Sequence, residues 1–85
     1  MQNNAIPAWF NGLMYNEGAI VENPFSKEEY ELNAIELSIY DFIMGTNYLM
    51  ETASRSVTPE VVKLYRKALN WFRKNNPEAY MALLD

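Results

Sequence analysis

Apolar residues recur at helical spacing through the middle of the chain. Between Ala34 and about Glu51 they stand three and four positions apart, which predicts an amphipathic helix over residues 33–51. The apolar stripe consists of Ile35, Ile39, Phe42, Ile43, Leu49 and Met50, with Leu37, Tyr40, Met44 and Tyr48 beside it and Ser38, Asp41 and Gly45 on a narrow polar side. The apolar arc is wider than one docking face requires. We therefore expect this helix to be the central element of the fold or part of a subunit interface.

The start of this helix carries a strong N-terminal signal. Asn33 is a residue type that caps helices, and Glu36 stands three residues later, as in a capping box. Leu32 and Leu37 are placed to form a hydrophobic staple. Gly45 costs about 1 kcal/mol relative to alanine inside a helix. We interpret it as the site of a close helix crossing, with a kink or an early helix end as the alternatives.

A second amphipathic helix is predicted over residues 58–75. Thr58 is a suitable N-cap, Pro59 occupies the first helical position, and Glu60 lies near the positive end. Asn76 and Pro77 end this helix and begin a short helical turn over residues 77–84. The buried stripe is formed by Val61, Leu64, Tyr65, Ala68, Leu69 and Phe72, with Trp71 at its edge.

The segment before the first helix has the pattern of a β-hairpin over residues 19–32. Ala19 to Glu22 is strand-like, Asn23 to Ser26 is rich in turn formers, and Tyr30 to Leu32 alternates apolar and polar residues. A two-stranded hairpin is marginally stable alone, so it must pack on a helix or pair across a dimer.

These elements predict one domain over residues 1–85. Its fold class is α+β: a short β-hairpin packed on two main α-helices plus a C-terminal helical turn. An all-α fold, with the hairpin segment as irregular loop, is the alternative. Residues 1–8 form a loose arm in this interpretation. Trp9 and Phe10 give the arm a reason to dock, because two large rings on a short segment are usually buried.

The composition disfavours an enzyme. The chain contains no cysteine and no histidine, so it lacks the commonest general base, the commonest metal ligand and any thiolate or disulfide. Phosphate-binding loops and nucleophile motifs are missing as well. Glu28, Glu29 and Glu31 cluster near the turn, but their spacing does not match a calcium loop, and we interpret them as a solvated edge. We expect no catalytic residue, no cofactor and no metal.

Charge is divided by position along the chain. Met1–Ala53 carries eight acids and one base, a net charge of −7, whereas Ser54–Asp85 carries six bases and three acids, a net charge of +3. The two halves should attract each other, within one chain or between copies. The overall charge of −4 disfavours generic binding to nucleic acid or to an anionic membrane. A candidate nucleic-acid patch nevertheless lies on the second helix: Lys63, Arg66, Lys67, Trp71, Arg73 and Lys74.

Self-association is the expected source of extra stability. A domain of 85 residues has room for one small core, and without cysteine no disulfide can reinforce it. Tyrosine, tryptophan and methionine are abundant, and these residues are favoured at interfaces. The candidate protein interface consists of Trp9, Phe10, Phe42, Met44 and Tyr48.

Several short motifs resemble those of small uncharacterised proteins encoded by tailed bacteriophages, including marine phages. The motifs are Asn23-Pro24-Phe25-Ser26, Glu31-Leu32, Tyr40-Asp41, the run from Leu69 to Lys74, the run from Asn76 to Met81, and the final Leu83-Leu84-Asp85. Many relatives have glycine after the serine, where this chain has Lys27. The family brings no established activity, cofactor or catalytic residue.

The resemblance implies a phage accessory protein in the cytoplasm of a bacterial host, or a minor component of the particle. We expect a non-catalytic interaction protein that forms a homo-oligomer and binds a host or phage protein. Nucleic-acid binding through the basic face of the second helix is the alternative.

Overall fold

The computed structural model describes residues 6–10, 12 and 14–84. It confirms the α+β class, since a two-stranded antiparallel sheet packs beside helices, and the all-α alternative is wrong. The predicted arm over residues 1–8 falls partly outside the described residues. In chain order the described elements are β1 (Ala19–Glu22), β2 (Glu29–Leu32), α1 (Ala34–Thr52), a 3₁₀ turn (Ser54–Ser56), α2 (Pro59–Asn75) and α3 (Pro77–Ala79), which continues as a π-helical segment (Tyr80–Leu84).

The two strands pair with Val21 opposite Tyr30 and with Ile20 opposite Glu31. Alternation along each strand then turns Val21, Tyr30 and Leu32 toward the core, while Ile20 stands on the outer face and is 66% exposed. Leu32 is almost completely buried. The hairpin therefore docks through one face only, as the alternation in its second strand predicts.

Asn23 organises the turn between the strands. Its Oδ1 accepts hydrogen bonds from the backbone N–H groups of Phe25 (2.8 Å) and Ser26 (3.2 Å). Its Nδ2 donates to the carbonyl oxygen of Ala82 at 3.0 Å, which ties the turn to the C-terminal segment. Lys27 adopts a left-handed φ of 69°, the conformation in which glycine is least strained.

Helix α1 begins with the predicted capping box. The Asn33 side chain accepts from the Glu36 N–H at 2.8 Å, and Glu36 Oε1 accepts from the Asn33 N–H at 2.9 Å. These bonds satisfy two of the backbone groups that a helix N-terminus leaves unpaired. Helix α2 has a single N-cap bond instead: the Thr58 hydroxyl accepts from the Val61 N–H at 3.2 Å, with Pro59 at the first position.

The second carboxylate oxygen of Glu36 extends the capping box across the molecule. Glu36 Oε2 accepts from Asn76 Nδ2 at 2.9 Å, and Asn76 lies at the junction between α2 and α3. Asn76 Oδ1 in turn accepts from the Ala79 N–H at 3.2 Å and lies 3.3 Å from the Tyr30 hydroxyl. Asn76 thus hydrogen-bonds to β2, the start of α1 and the start of α3 at once.

The core lies where these elements meet. Helices α1 and α2 pack together through fully buried side chains, and β2 and the C-terminal segment close the ends. The buried apolar residues are Leu32, Ile39, Tyr40, Ile43, Ala68, Phe72, Ala79 and Leu83.

Helix α1 departs from the predicted pattern at several positions. Ser38, which the periodicity places on the polar side, is 1% exposed. Its hydroxyl is satisfied there, because Oγ donates to the Ala34 carbonyl (2.7 Å) and accepts from the Tyr15 N–H (2.9 Å). Conversely, Tyr48 is 66% and Leu49 is 38% exposed. Helical periodicity does not predict this burial, because the contact with Tyr15 is distant in sequence.

Gly45 does not mark a close helix crossing. A β-carbon at Gly45 would have no neighbouring atom within 4 Å, and α1 continues past it to Thr52, so the early-end alternative is wrong as well. Gly18 is the position where backbones approach closely, since a β-carbon there would overlap the carbonyl oxygen of Leu32.

These two glycines make a matched test of the packing. We predict that Gly45→Ala stabilises the protein by about 0.5–1 kcal/mol, because alanine favours the helix and meets no clash. Gly18→Ala should destabilise it by about 1–3 kcal/mol, because the β-carbon must push β2 away. Urea unfolding followed by circular dichroism measures both. A stabilised Gly18→Ala variant would contradict the described entry into β1.

Candidate functional site

The predicted interface residues divide into two groups. Trp9, Phe10 and Phe42 lie together: the Trp9 and Phe10 rings meet edge to face at 6.1 Å between centroids, and Phe10 meets Phe42 at 6.0 Å. All three rings are half-buried and pack against the core. We call Trp9 and Phe10 the docked arm, because Phe10 packs on α1 in the same molecule. These contacts use much of the apolar surface of the three rings.

Met44 and Tyr48 line a different cleft of about 340 Å³ at the tip of the hairpin. We call this surface the Phe25 face: Pro24, Phe25, Met44, Asn47, Tyr48 and Glu51. Phe25 is 92% exposed, and Tyr48 beside it is 66% exposed. Sequence reasoning missed Phe25. A large aromatic residue inside a turn, between Pro24 and Ser26, was the available signal.

The bases of α2 are exposed along one side of the helix. Lys63, Arg66, Lys67 and Lys74 are all exposed, and Trp71 is half-buried among them. Arg73 is exposed as well. Its Nη2 donates to Asn70 Oδ1 at 2.6 Å, and its guanidinium lies 5.9 Å from the centre of the Tyr80 ring.

The docked arm brings a second tryptophan to this basic surface. A shallow cleft of about 330 Å³ lies between the arm and α2, and we call it the tryptophan cleft: Trp9, Lys67, Asn70, Trp71, Lys74 and Asn75. The sequence placed Trp9 with the protein interface and Trp71 with the basic patch. Their proximity depends on how the arm folds back, for which neither helical nor strand periodicity carries a signal.

Two further clefts are lined by acids. One of about 500 Å³ lies at the base of the hairpin and includes Glu17, Glu31 and Glu36. The other, of about 360 Å³, lies beside Gly45 and includes Asp41. Within residues 6–10, 12 and 14–84, no three acidic side chains converge as metal ligands would. The acids that line these two clefts therefore do not form a metal site of three ligands.

Three tyrosines have a perturbed pKa. The neighbouring negative charge of Asp41 is the main cause that raises the pKa of Tyr15, and the hydrogen bond from its hydroxyl to Glu78 raises the pKa of Tyr30. The Tyr30 hydroxyl lies 3.0 Å from Glu78 Oε1. Burial raises the pKa of Tyr40. In each case the surroundings favour the neutral phenol over the phenolate.

Comparison with family models, with curated proteins and with solved structures found no match to this chain. In the part of the chain that the structure describes, none of the helices combines the length and the hydropathy needed to cross a bilayer.

The tyrosines predict a loss of stability in alkali. A pKa that is raised in the folded state contributes stability that is complete below the unfolded value of about 10 and declines as pH rises toward the folded value. We therefore expect the free energy of unfolding to fall above about pH 10, and to fall less steeply in Tyr30→Phe, which cannot ionise at that position. Urea unfolding at a series of alkaline pH values measures this. Identical slopes for the two proteins would contradict the Tyr30–Glu78 hydrogen bond.

Proposed function

We propose that this chain is a non-catalytic interaction protein that self-associates through the Phe25 face. The observation that supports the proposal is the 92% exposure of Phe25 next to the 66% exposed Tyr48. Monomeric proteins seldom leave large adjacent aromatic side chains in water, and such surfaces commonly mark protein contacts.

The turn holds Phe25 in a defined position. Asn23 accepts from the backbone of Phe25 and Ser26 and is itself anchored to Ala82. An aromatic residue on an ordered turn binds with a smaller loss of conformational entropy than one on a flexible loop. Burial of one such side chain contributes roughly 1.5–3 kcal/mol.

Self-association also fits the size and composition of the chain. Eighty-five residues without cysteine leave oligomerisation as a route to added stability. The resemblance to phage proteins supports a role in an infected bacterial cell or in the particle, with a phage or host protein as a further partner. Without histidine or cysteine, the chain lacks the commonest general base and any thiol nucleophile, which disfavours catalysis.

A second candidate function is nucleic-acid binding by the basic side of α2. The supporting observation is that Lys63, Arg66, Lys67 and Lys74 are exposed on one side of one helix, with Trp71 among them. Cations that meet phosphates and an aromatic ring that stacks on bases are the parts such a surface needs.

Self-association predicts a mass above the 9.9 kDa of one chain. Light scattering on a size-exclusion column should give a stable multiple for the native protein. Phe25→Ser and Tyr48→Ser should each shift the mass toward a single chain, because they remove exposed apolar surface without opening the core.

Ile20→Thr is the matched control, since Ile20 is as exposed as Tyr48 but lies on the outer face of the hairpin. It should leave the mass unchanged. A native protein with the mass of one chain at all accessible concentrations would refute self-association. If only Ile20→Thr lost the multiple, the interface would lie on the outer face of the hairpin around Ile20 and not on the Phe25 face.

A further inference from the structure

We propose that the tryptophan cleft binds a short segment of single-stranded nucleic acid, with a base against the indoles and phosphates on Lys67 and Lys74. The proposal rests on the second candidate function and narrows it in two respects. The site includes Trp9 from the docked arm as well as residues of α2, and the ligand is single-stranded nucleic acid and not a duplex.

The two indoles are held in place from behind. Trp71 meets the fully buried Phe72 edge to face at 5.8 Å, and Trp9 meets Phe10, which in turn meets Phe42. Both indoles remain partly exposed in the cleft. Such fixed, partly exposed rings are platforms on which bases stack without regard to sequence.

The two lysines flank Trp71 along the helix. Lys67 precedes it by four residues and Lys74 follows it by three, so both stand on the same side of α2 as the indole. At 1.5 Å per residue, the two positions are about 10 Å apart along the axis. A base on Trp71 would have one cation on its 5′ side and one on its 3′ side. This arrangement favours a nucleotide inside a strand over a free mononucleotide.

The asparagines supply hydrogen-bonding groups for a base. Asn70 Oδ1 accepts from Arg73. Among the contacts described, the Nδ2 group of Asn70 has no acceptor, so it can donate to a bound base. Asn75 Nδ2 donates to the Trp71 carbonyl at 2.9 Å, which leaves its Oδ1 for an outside donor. The rim can therefore pair with base edges that a duplex would hide.

Charge distinguishes this cleft from its neighbours. Its lining contains two bases and no acid, although the chain as a whole has a net charge of −4. The cleft at the hairpin base, the cleft beside Gly45 and the Phe25 face each include at least one acid. A polyanion would be repelled from those surfaces and directed toward the tryptophan cleft.

Intrinsic tryptophan fluorescence can detect binding at the cleft. The chain contains two tryptophans, and both line the cleft, so tryptophan fluorescence reports on this site. The native protein is titrated with an oligodeoxythymidylate of about four nucleotides at a series of salt concentrations. We expect saturable quenching. A plot of log affinity against log salt concentration should have a slope as steep as about −1.4 or steeper, because each phosphate neutralised on a single strand contributes about −0.7.

Matched variants separate the cleft from a base elsewhere in the chain. Lys67→Gln with Lys74→Gln should reduce the slope by about 1.4. Trp71→Leu should weaken binding at least about fivefold, with Trp9 still reporting. Arg55→Gln changes one charge in the 3₁₀ turn, outside the cleft, and should leave affinity and slope unchanged.

Three results would overturn the proposal. No quenching at low salt would exclude the site and would count against the second candidate function too. Equal binding of duplex and single strand, with Arg55→Gln as damaging per charge as the two lysine substitutions, would indicate binding by charge alone and would contradict the cleft. If thymidine monophosphate bound as tightly as the oligonucleotide, the ligand of the cleft would be a free nucleotide and not a strand.

Discussion

The hydrogen bond between Glu36 and Asn76 is the contact on which the arrangement of the other elements depends. It joins the capping box of α1 to the junction between α2 and α3, across forty residues of sequence. Glu36 is 8% exposed, and a carboxylate so placed is costly unless its oxygens are paired. Both oxygens accept hydrogen bonds, one from Asn33 and one from Asn76. Among the described residues, no buried side-chain nitrogen or oxygen lacks a partner.

Two surfaces with different chemistry result from this arrangement. Asn76 places the C-terminal segment beside β2, and Asn23 then anchors the hairpin turn to Ala82 in that segment, which exposes Phe25 at the tip. The α1–α2 pair meanwhile carries the docked arm, which completes the tryptophan cleft with Trp71. The Phe25 face is aromatic and bears Glu51, whereas the cleft is basic. Their separate chemistry allows self-association and nucleic-acid binding to be tested independently.

Local rules predicted the fold well, because its signals are local. The Asn33 capping box, the Thr58 cap and the alternation in β2 each act within a few residues, and the structure shows all three. Contacts distant in sequence could not be predicted in this way. Burial of Ser38 depends on Tyr15, and the tryptophan cleft depends on the folding back of the arm. The bond between Asn76 and Glu36 joins the two charged halves through a neutral donor, so the division of charge along the chain does not predict it.

Exchange of the amide and the carboxylate tests the central contact most directly. Asn76→Asp should lower the free energy of unfolding by about 1–3 kcal/mol, because it sets a second carboxylate against Glu36. Adding Glu36→Gln restores an amide donor opposite a carboxylate and keeps the acceptor for Asn33. Urea unfolding of both single variants and the double variant should therefore give a coupling energy of about 1–3 kcal/mol. Additive losses, with the double variant the least stable, would contradict the account.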